Sequence, residues 1–586
     1  MSKDFSKYTI FPEIKKGHKY YYAARTYRVK INPEQAGKTR GSGRSRVVCE
    51  KIYLGTAQEV LSKLTGRDKE PQKMSSKEYG LPMAVYTLAH DIGLMEIMDE
   101  VLPYTVKGIR ASEFILISAI SKLHGSISKD KTGDYFSTTV LPEKMAIKAG
   151  DLHSKTYWEM FEKIISEKEL KEKKRAKGKA LNEKASIEEL EELIDDEKLE
   201  SIEEGIWLRL LQRYNLLLDV LLYDGTNSFT YYQDHTINSY GQKGKNKKGR
   251  HSLRQIGLFM AVTGDGLPFI SQIACGNIHD AKIFPTAMSK LIQRYHRLMS
   301  EASKITIAFD KGNNSMKNLK VISGHEYVGS LVPSNHPDLT SIDLDTYTKT
   351  YKEFKVYEGQ TEVFGGSHKI CITYNEALRH KQRSGFLKHM STAKKLLQEE
   401  FEKHKTAEDL QERLKMILHT NKVLYSRACR YLDYEIKEDM ITIIENHDEI
   451  AGKEHEFGKN IIFTNNVEAD CLQTISTYKE KIKVEDSFKT IKDHRIISFH
   501  PIWHWTDSKI RIDAFISVLA YLLIKLLQYL AKEGGLQMSV TSLIKALEGI
   551  REVLLIYPDN TAVKKLEDQP PLQMQLLNTF GLVNST

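Results

Sequence analysis

The sequence predicts a multidomain α/β chain built around a mixed β-sheet flanked by helices. Three observations predict it. From about residue 216 onward, short apolar runs of strand-like composition alternate with amphipathic helical stretches. With 41% hydrophobic and 28% charged residues, the chain can pack cores and is unlike disordered, collagen-like or disulfide-scaffold proteins. Its 586 residues exceed what a single core usually holds.

The elements follow in order. Residues 1 to 70 hold 16 Lys or Arg against 7 Asp or Glu, an excess equal to the net +9 of the whole chain. Two strand-like runs, around Tyr20–Val29 and Val47–Leu54, flank a Gly- and Ser-punctuated loop carrying Lys38, Arg40, Arg44 and Arg46. Residues 1–75 are therefore expected to form a basic β-rich segment whose loop lies on DNA phosphates. Val85, Leu88, Ala89 and Ile92 recur at helical spacing, which predicts a helical domain over 76–165 for DNA-end binding or dimerisation. A charge block with a Ser186–Glu189 capping box predicts a helical linker over 166–209.

The α/β texture occupies 210–334 and resumes over 458–530, with an interruption at 335–457 and a helical tail at 531–586. LLLDVLLYDGTN reads as a buried strand ending at Asp224, and KITIAFDKGN as a second ending at Asp310. Between them GLFMAVTGDGLPFISQIACG reads as a hairpin turning at Gly264-Asp265-Gly266. The apolar window from Ile512 carries Asp513, Lys525 and Gln528, so burial in a core is expected rather than a membrane span. Five scattered cysteines form no Cys-x-x-Cys pair, and the N-terminus lacks the apolar run of a signal peptide. A reducing, cytoplasmic setting is the expectation.

Carboxylates held at strand ends suit hard divalent cations. In TYKEKIKVEDSFKTIKDHR, Tyr478, Lys481, Glu485 and Lys492 fall at offsets that place them on one stripe of a continuous α-helix. A solvent-exposed helix with salt-bridging charges is the ordinary fate of such a pattern. KGKNKKGRHSLR adds Lys243, Lys245, Lys247, Lys248, Arg250 and Arg254 without an acid, a run that can track phosphates. Trp503 and Trp505 are expected as core aromatics, stacking on an unpaired base being the alternative. His494, His500 and His504 lack the spacing of a metal site.

The four-residue spacing resembles the Tyr-x2-Arg-x3-Glu-x6-Lys signature of the DDE-type insertion-sequence transposases, with Lys481 in place of the usual Arg. The blocks RHSLRQIGLFMAVTGDGLPFISQIACGNIHD, IAFDKGNNS and VEDSFKTIKDHRIISFHPIWHW resemble the same family. The resemblance implies an RNase H-like catalytic core in which Asp224, Asp310 and Glu485 bind two Mg²⁺ ions, Mn²⁺ being able to substitute. Tyr478, Lys481 and Lys492 would lie near the bound DNA end. It further implies cleavage at element ends and strand transfer into target DNA by a homodimer, in a prokaryotic, nucleoid-associated setting. The partners are double-stranded DNA, both terminal inverted repeats and target, and no membrane.

Asp310 and Glu485 are 175 residues apart, far more than an RNase H-like sheet needs, so 335–457 is expected to be an inserted, β-rich subdomain. Two other readings compete: a catalytically inactive, transposase-derived DNA-binding protein, and a nuclease that cuts without joining.

Overall fold

The structure, a computed structural model, describes residues 7–30, 45–65, 70–125, 127–176, 197–231, 238–245, 249–250, 252–300, 302–405, 408–420, 427–437, 440–558 and 560–583. At the N-terminus, β1 (Thr9–Lys15), β2 (His18–Lys30) and β3 (Ser45–Thr56) form an antiparallel sheet in that order. Tyr22 stands opposite Phe11 on one side and Tyr53 on the other. Among this sheet's described hydrophobic residues only Ala23 is buried, so the sheet adds little to the main core.

β4 (Lys73–Glu78) leads into a helical unit interrupted by the two-residue strands β5 (Thr105–Val106) and β6 (Ile109–Arg110). Its helices Gly80–Asp91, Ala111–Leu123 and Ser154–Ile164 bury Leu88, Phe114 and Tyr157. The unit docks on the long helix Asp507–Glu533, where Lys509 pairs with Glu162 at 2.5 Å and the Ser508 hydroxyl donates to Glu167 at 2.7 Å. That helix is buried over most of its length, as its apolar sequence predicts. No helix among the described residues is long and apolar enough to cross a membrane.

The central sheet comprises β7 (Val220–Thr230), β8 (Gln242–Lys243), β9 (Arg254–Thr263), β10 (Pro268–Cys275), β11 (Thr306–Ala308), β12 (Glu326–Leu331), β13 (Lys349–Tyr351), β14 (Phe354–Val363), β15 (Gly366–Tyr374) and, later in the chain, β18 (Lys459–Thr464). Its order is β10-β9-β7-β11-β12-β18-β15-β14-β13, with β8 on β9. β10, β9 and β7 run antiparallel, while β11 is parallel to β7 and β12 to β11. Three antiparallel strands followed by two parallel ones is an arrangement consistent with an RNase H-like core. The β9–β10 hairpin turns as expected, with Gly266 at φ +81° and its N–H donating to the Thr263 carbonyl. Helix Asp280–Leu298 covers one face, where Phe284 meets Tyr223 and Phe309 edge-on at 5.5 and 5.2 Å.

The stretch 335–457 is not a β-rich subdomain throughout. β13 to β15 extend the central sheet, because β15 pairs with β18 along Lys369–Tyr374. The remainder is mainly helical: helices Glu376–His404, Leu410–Thr420 and His447–Glu456 surround the hairpin of β16 (Leu432–Lys437) and β17 (Met440–Glu445). They have their own core of Phe386, Leu397, Leu414 and Tyr431. Nor is 531–586 a purely helical tail. β19 (Arg551–Ile556) pairs with both β20 (Ala562–Leu566) and β4, and the Tyr79 hydroxyl donates to the Leu582 carbonyl at 2.9 Å. Of the predicted linker, helix Glu197–Arg213 is described, whereas Ser186 and Glu189 lie outside the described residues.

Leu523 on the long helix is fully buried. Leu523→Ala should cost about 2–5 kcal/mol through lost burial and the cavity left behind. Urea unfolding followed by circular dichroism reads it as a lower midpoint.

Candidate active site

Asp224 lies inside β7 rather than at its end. β9 pairs with β7 from Leu221 to Thr230 and so keeps the backbone extended well past the carboxylate. The next residue, Gly225, is not a turn glycine. It faces Phe259 of β9, and a Cβ there would stand 2.1 Å from that ring.

On its other side β7 pairs with β11 only from Val220 to Leu222, with Ala308 opposite Leu222. Asp310, two residues past Ala308, is therefore level with Asp224, two residues past Leu222. Strand alternation turns both carboxylates to the same face. The sequence-predicted pair is thus brought together by strand register. Asp310 then caps a single 3-10 turn, Lys311–Asn313.

Lys481 Nζ lies 3.0 Å from Asp310 Oδ1 and its side chain is buried. The Tyr478 hydroxyl donates to Ser330 Oγ at 2.7 Å and sits 3.5 Å from the same Asp310 oxygen. Burial acts to raise the Asp310 pKa, but the Lys481 ammonium, with the Lys311 N–H and charge, outweighs it and holds the carboxyl below its usual range. Burial likewise works against the Lys481 charge. Tyr478, Asp310 and then Asp224 offset it and hold the ammonium above its ordinary pKa, so Lys481 feels both carboxylates. The Tyr478 phenol is raised, chiefly by burial.

The stripe from Tyr478 to Lys492 does not ride on one continuous helix. Helix Cys471–Lys479 ends before helix Ile482–Lys492 begins. At the junction Lys481, Lys483 and Val484 donate to carbonyls three residues back, a 3-10 pattern. Residues three apart eclipse in that geometry, which brings Tyr478 and Lys481 to the same aspartate. At the far end, the Lys492 ammonium donates to Thr226 Oγ1 and to the Asn227 carbonyl, each at 2.5 Å. Thr226 shares the Asp224 face of β7. Helix Ile482–Lys492 is thus anchored beside Asp310 by Lys481 and beside Asp224 by Lys492. Glu485 lies between these anchors and is exposed.

The transposase DDE domain family matches residues 216–523, more than half of the chain. The chain belongs to that family. No curated protein matches the transposase sequence.

As oxygen donors, Asp224 and Asp310 fit a hard divalent cation. Glu485 does not complete a ligand set with them: among the described residues, no three His, Cys, Asp or Glu side chains converge closely enough to hold an ion. Of the transposase's predicted phosphate contacts, Lys243, Lys245 and Arg250 are exposed, and Arg254 is half-buried with its guanidinium 3.5 Å from the Gly241 carbonyl. Arg46 is exposed on the separate N-terminal sheet. Lys38, Arg40, Arg44, Lys247 and Lys248 lie outside the described residues.

Trp503 and Trp505 are not core aromatics, being 69% and 59% exposed. Phe499 and Ile502 take the buried positions of their loop, where Ile502 N–H donates to the Phe229 carbonyl and Phe229 N–H to His500 Nδ1. Ser330, Thr226 and Asn227 were missed by sequence reasoning. Thr226 carried a signal, lying two residues past Asp224 on the same strand face.

Because Lys481 depresses the Asp310 pKa, its contribution to stability is present at neutral pH and is lost as pH falls through that depressed value. Lys481→Met should therefore raise the Asp310 pKa, measured by carboxyl-carbon NMR titration, and weaken the acid dependence of stability arising from this pair.

Proposed function

We propose that this transposase cleaves DNA at the ends of an insertion sequence and transfers the strand into target DNA, a cut-and-paste reaction that depends on Mg²⁺. The observation that carries the reading is the register that sets Asp224 level with Asp310, under a helix bearing Glu485 and tied to both strands. Asp224 and Asp310 would hold the metal, and Glu485, which stands outside their ligand set in this structure, would turn in from its helix to join them. When bound, Mg²⁺, for which Mn²⁺ can substitute, supplies activation of the attacking oxygen and stabilisation of the leaving one.

The chain's own residues have separate tasks. Lys481 and Tyr478 hold Asp310 in place, and the Lys481 and Lys492 ammoniums, with the neutral Tyr478 phenol beside them, would form the cationic edge of the site that would meet the DNA end. The matching spacing of Tyr478, Lys481, Glu485 and Lys492 supports membership in the Tyr-x2-Arg-x3-Glu-x6-Lys subgroup. Lys243, Lys245, Arg250 and Arg254, with Lys247 and Lys248, would track phosphates beside the site. The basic N-terminal segment, with Lys38, Arg40, Arg44 and Arg46, would bind terminal repeats of double-stranded DNA. A homodimer bridging two ends, acting on nucleoid DNA in a prokaryotic cytoplasm, completes the proposal.

A labelled element end incubated with a supercoiled target tests it. Asp224→Asn, Asp310→Asn and Glu485→Gln should each abolish Mg²⁺-dependent cleavage while leaving gel-shift affinity within about threefold, and chelation should do the same to the parent protein. Undiminished cleavage in any of the three rejects the assignment. Cutting without joined product would identify a nuclease, and binding alone an inactive derivative.

Deleting residues 1–70 should lower affinity for duplex DNA and flatten its dependence on salt. An unchanged salt slope would remove the N-terminal segment from the DNA interface.

A further inference from the structure

Helix Glu376–His404 opens the unit inserted between β15 and β18, and its charge is unevenly placed. From Glu376 to Lys395 it carries six Lys or Arg and a single acid, Glu376; from Leu396 to His404 it carries three acids and one lysine. Its buried side chains, Phe386, Met390, Ala393 and Leu397, pack into the unit's own core. On the opposite side Lys381, Lys388 and Lys395 recur every seven residues, with Ser384 and Ser391 between them, and all five are exposed. At about 100° per residue these five fall within a stripe of roughly 80°.

The other cations of this half are engaged by the fold. Arg379 lies 3.6 Å from Glu376, Arg383 pairs with Glu454 at 2.8 Å, and Lys394 pairs with Glu445. Lys381 and Lys388 make no ion pair among the described residues. Lys395 reaches only Glu399, at 3.6 Å with 77% of its side chain exposed, a contact that gains little. The stripe thus offers three available cations at intervals of about 10.5 Å, over about 21 Å of helix. Duplex DNA carries a charge every ~1.7 Å of its axis, so each lysine can meet a separate phosphate. The serines between them leave the helix backbone open to approach and can donate to phosphate oxygens. No apolar residue lies within the stripe from Lys381 to Lys395, so it lacks the apolar anchors on which protein partners dock.

Strand register brings this helix to the end of the sheet that holds the carboxylates. Ala308 stands opposite Val328, so Asp310 is level with Ser330; Ser330 stands opposite Ile462, and Ile462 opposite Cys371. β15 therefore runs in the direction of β11 and passes the level of Asp310 at Cys371. Asn375 then caps the helix, its side chain accepting the Leu378 N–H at 2.8 Å. Four residues of strand and three strand spacings put this cap roughly 20 Å from Asp310, beyond the same end of the sheet. The first turns are fixed there, because the Gly458 N–H donates to Gln382 Oε1 at 2.7 Å and Arg383 donates to Glu454. A duplex held at the carboxylates and crossing this end of the sheet meets Lys381 first.

We propose that the Lys381–Lys388–Lys395 face of helix Glu376–His404 binds the phosphate backbone of duplex DNA running outward from the candidate active site. The inserted unit is then a second DNA-holding arm, separate from the carboxylates and from the basic N-terminal segment. The proposal rests on the transposase reading for the identity of the polyanion. Its contacts are to phosphates, so it adds affinity and salt dependence without base preference.

Fluorescence anisotropy with a labelled duplex of about 40 base pairs, on the full chain without metal and over a range of salt, tests this. The triple substitution Lys381→Gln, Lys388→Gln and Lys395→Gln should weaken binding by about tenfold or more at ~0.1 M salt and lower the slope of log affinity against log salt by about two to three. Arginine at the same three positions should keep both. Lys415→Gln with Lys437→Gln, exposed on the same unit but off the stripe, should change the slope by less than about half a unit. All these side chains lie at the surface, and coincident thermal melts would verify folding. An unchanged slope in the triple variant, as expected if the stripe faces an acidic protein or only solvent, overturns the proposal, and so does an equal change in the off-stripe pair. Neither result touches the transposase reading, which stands or falls on cleavage by the carboxylate variants.

Discussion

Three residues of parallel pairing between β7 and β11 are the constraint on which the candidate site depends. Strand side chains alternate, so a slip of one residue would turn Asp310 to the opposite face from Asp224. The long antiparallel ladder of β7 on β9 prevents slippage from one side, and helix Asp280–Leu298 clamps Tyr223 and Phe309 beneath the pair. The carboxylates are thus placed by packing on the face that they do not occupy.

Electrostatics then ties the helical layer to this register. Lys481 is buried against Asp310, and a buried charge that loses its partner costs far more than an exposed pair gains. Lys492 satisfies a side-chain and a backbone oxygen of β7 in the same way. The cations of the stripe serve the architecture before they serve any ligand. This explains why substitutions there would have to be read through position as well as charge.

The central strands, the hairpin at Gly266 and the long apolar helix were legible from the sequence because each follows a local rule of alternation, turn chemistry or burial. The aspartate pair was legible through flanking apolar runs and a family resemblance. What was not legible depended on distant partners. The strand beyond Asp224 exists because β9 pairs with it, and nothing local in Gly225 reveals that it makes room for Phe259. The break at Glu480–Lys481 is invisible to helical periodicity, since its charged residues suit a helix. Trp503 and Trp505 were misread because hydrophobicity predicts burial, whereas Phe499 and Ile502 had already taken the inward positions of their loop.

The pairing of β4 with β19 joins residues 73–78 to residues 551–556. At translation rates of about 5–20 residues per second, the ribosome needs on the order of half a minute or more to travel between them. Until then the edge of β4 that β19 covers stays open, while Glu78 on that strand bridges to Thr139 of the helical unit. Completion of the fold is thereby coupled to synthesis of the far strand. A chain stalled before it would carry the central carboxylates but lack the strand that closes its helical flank.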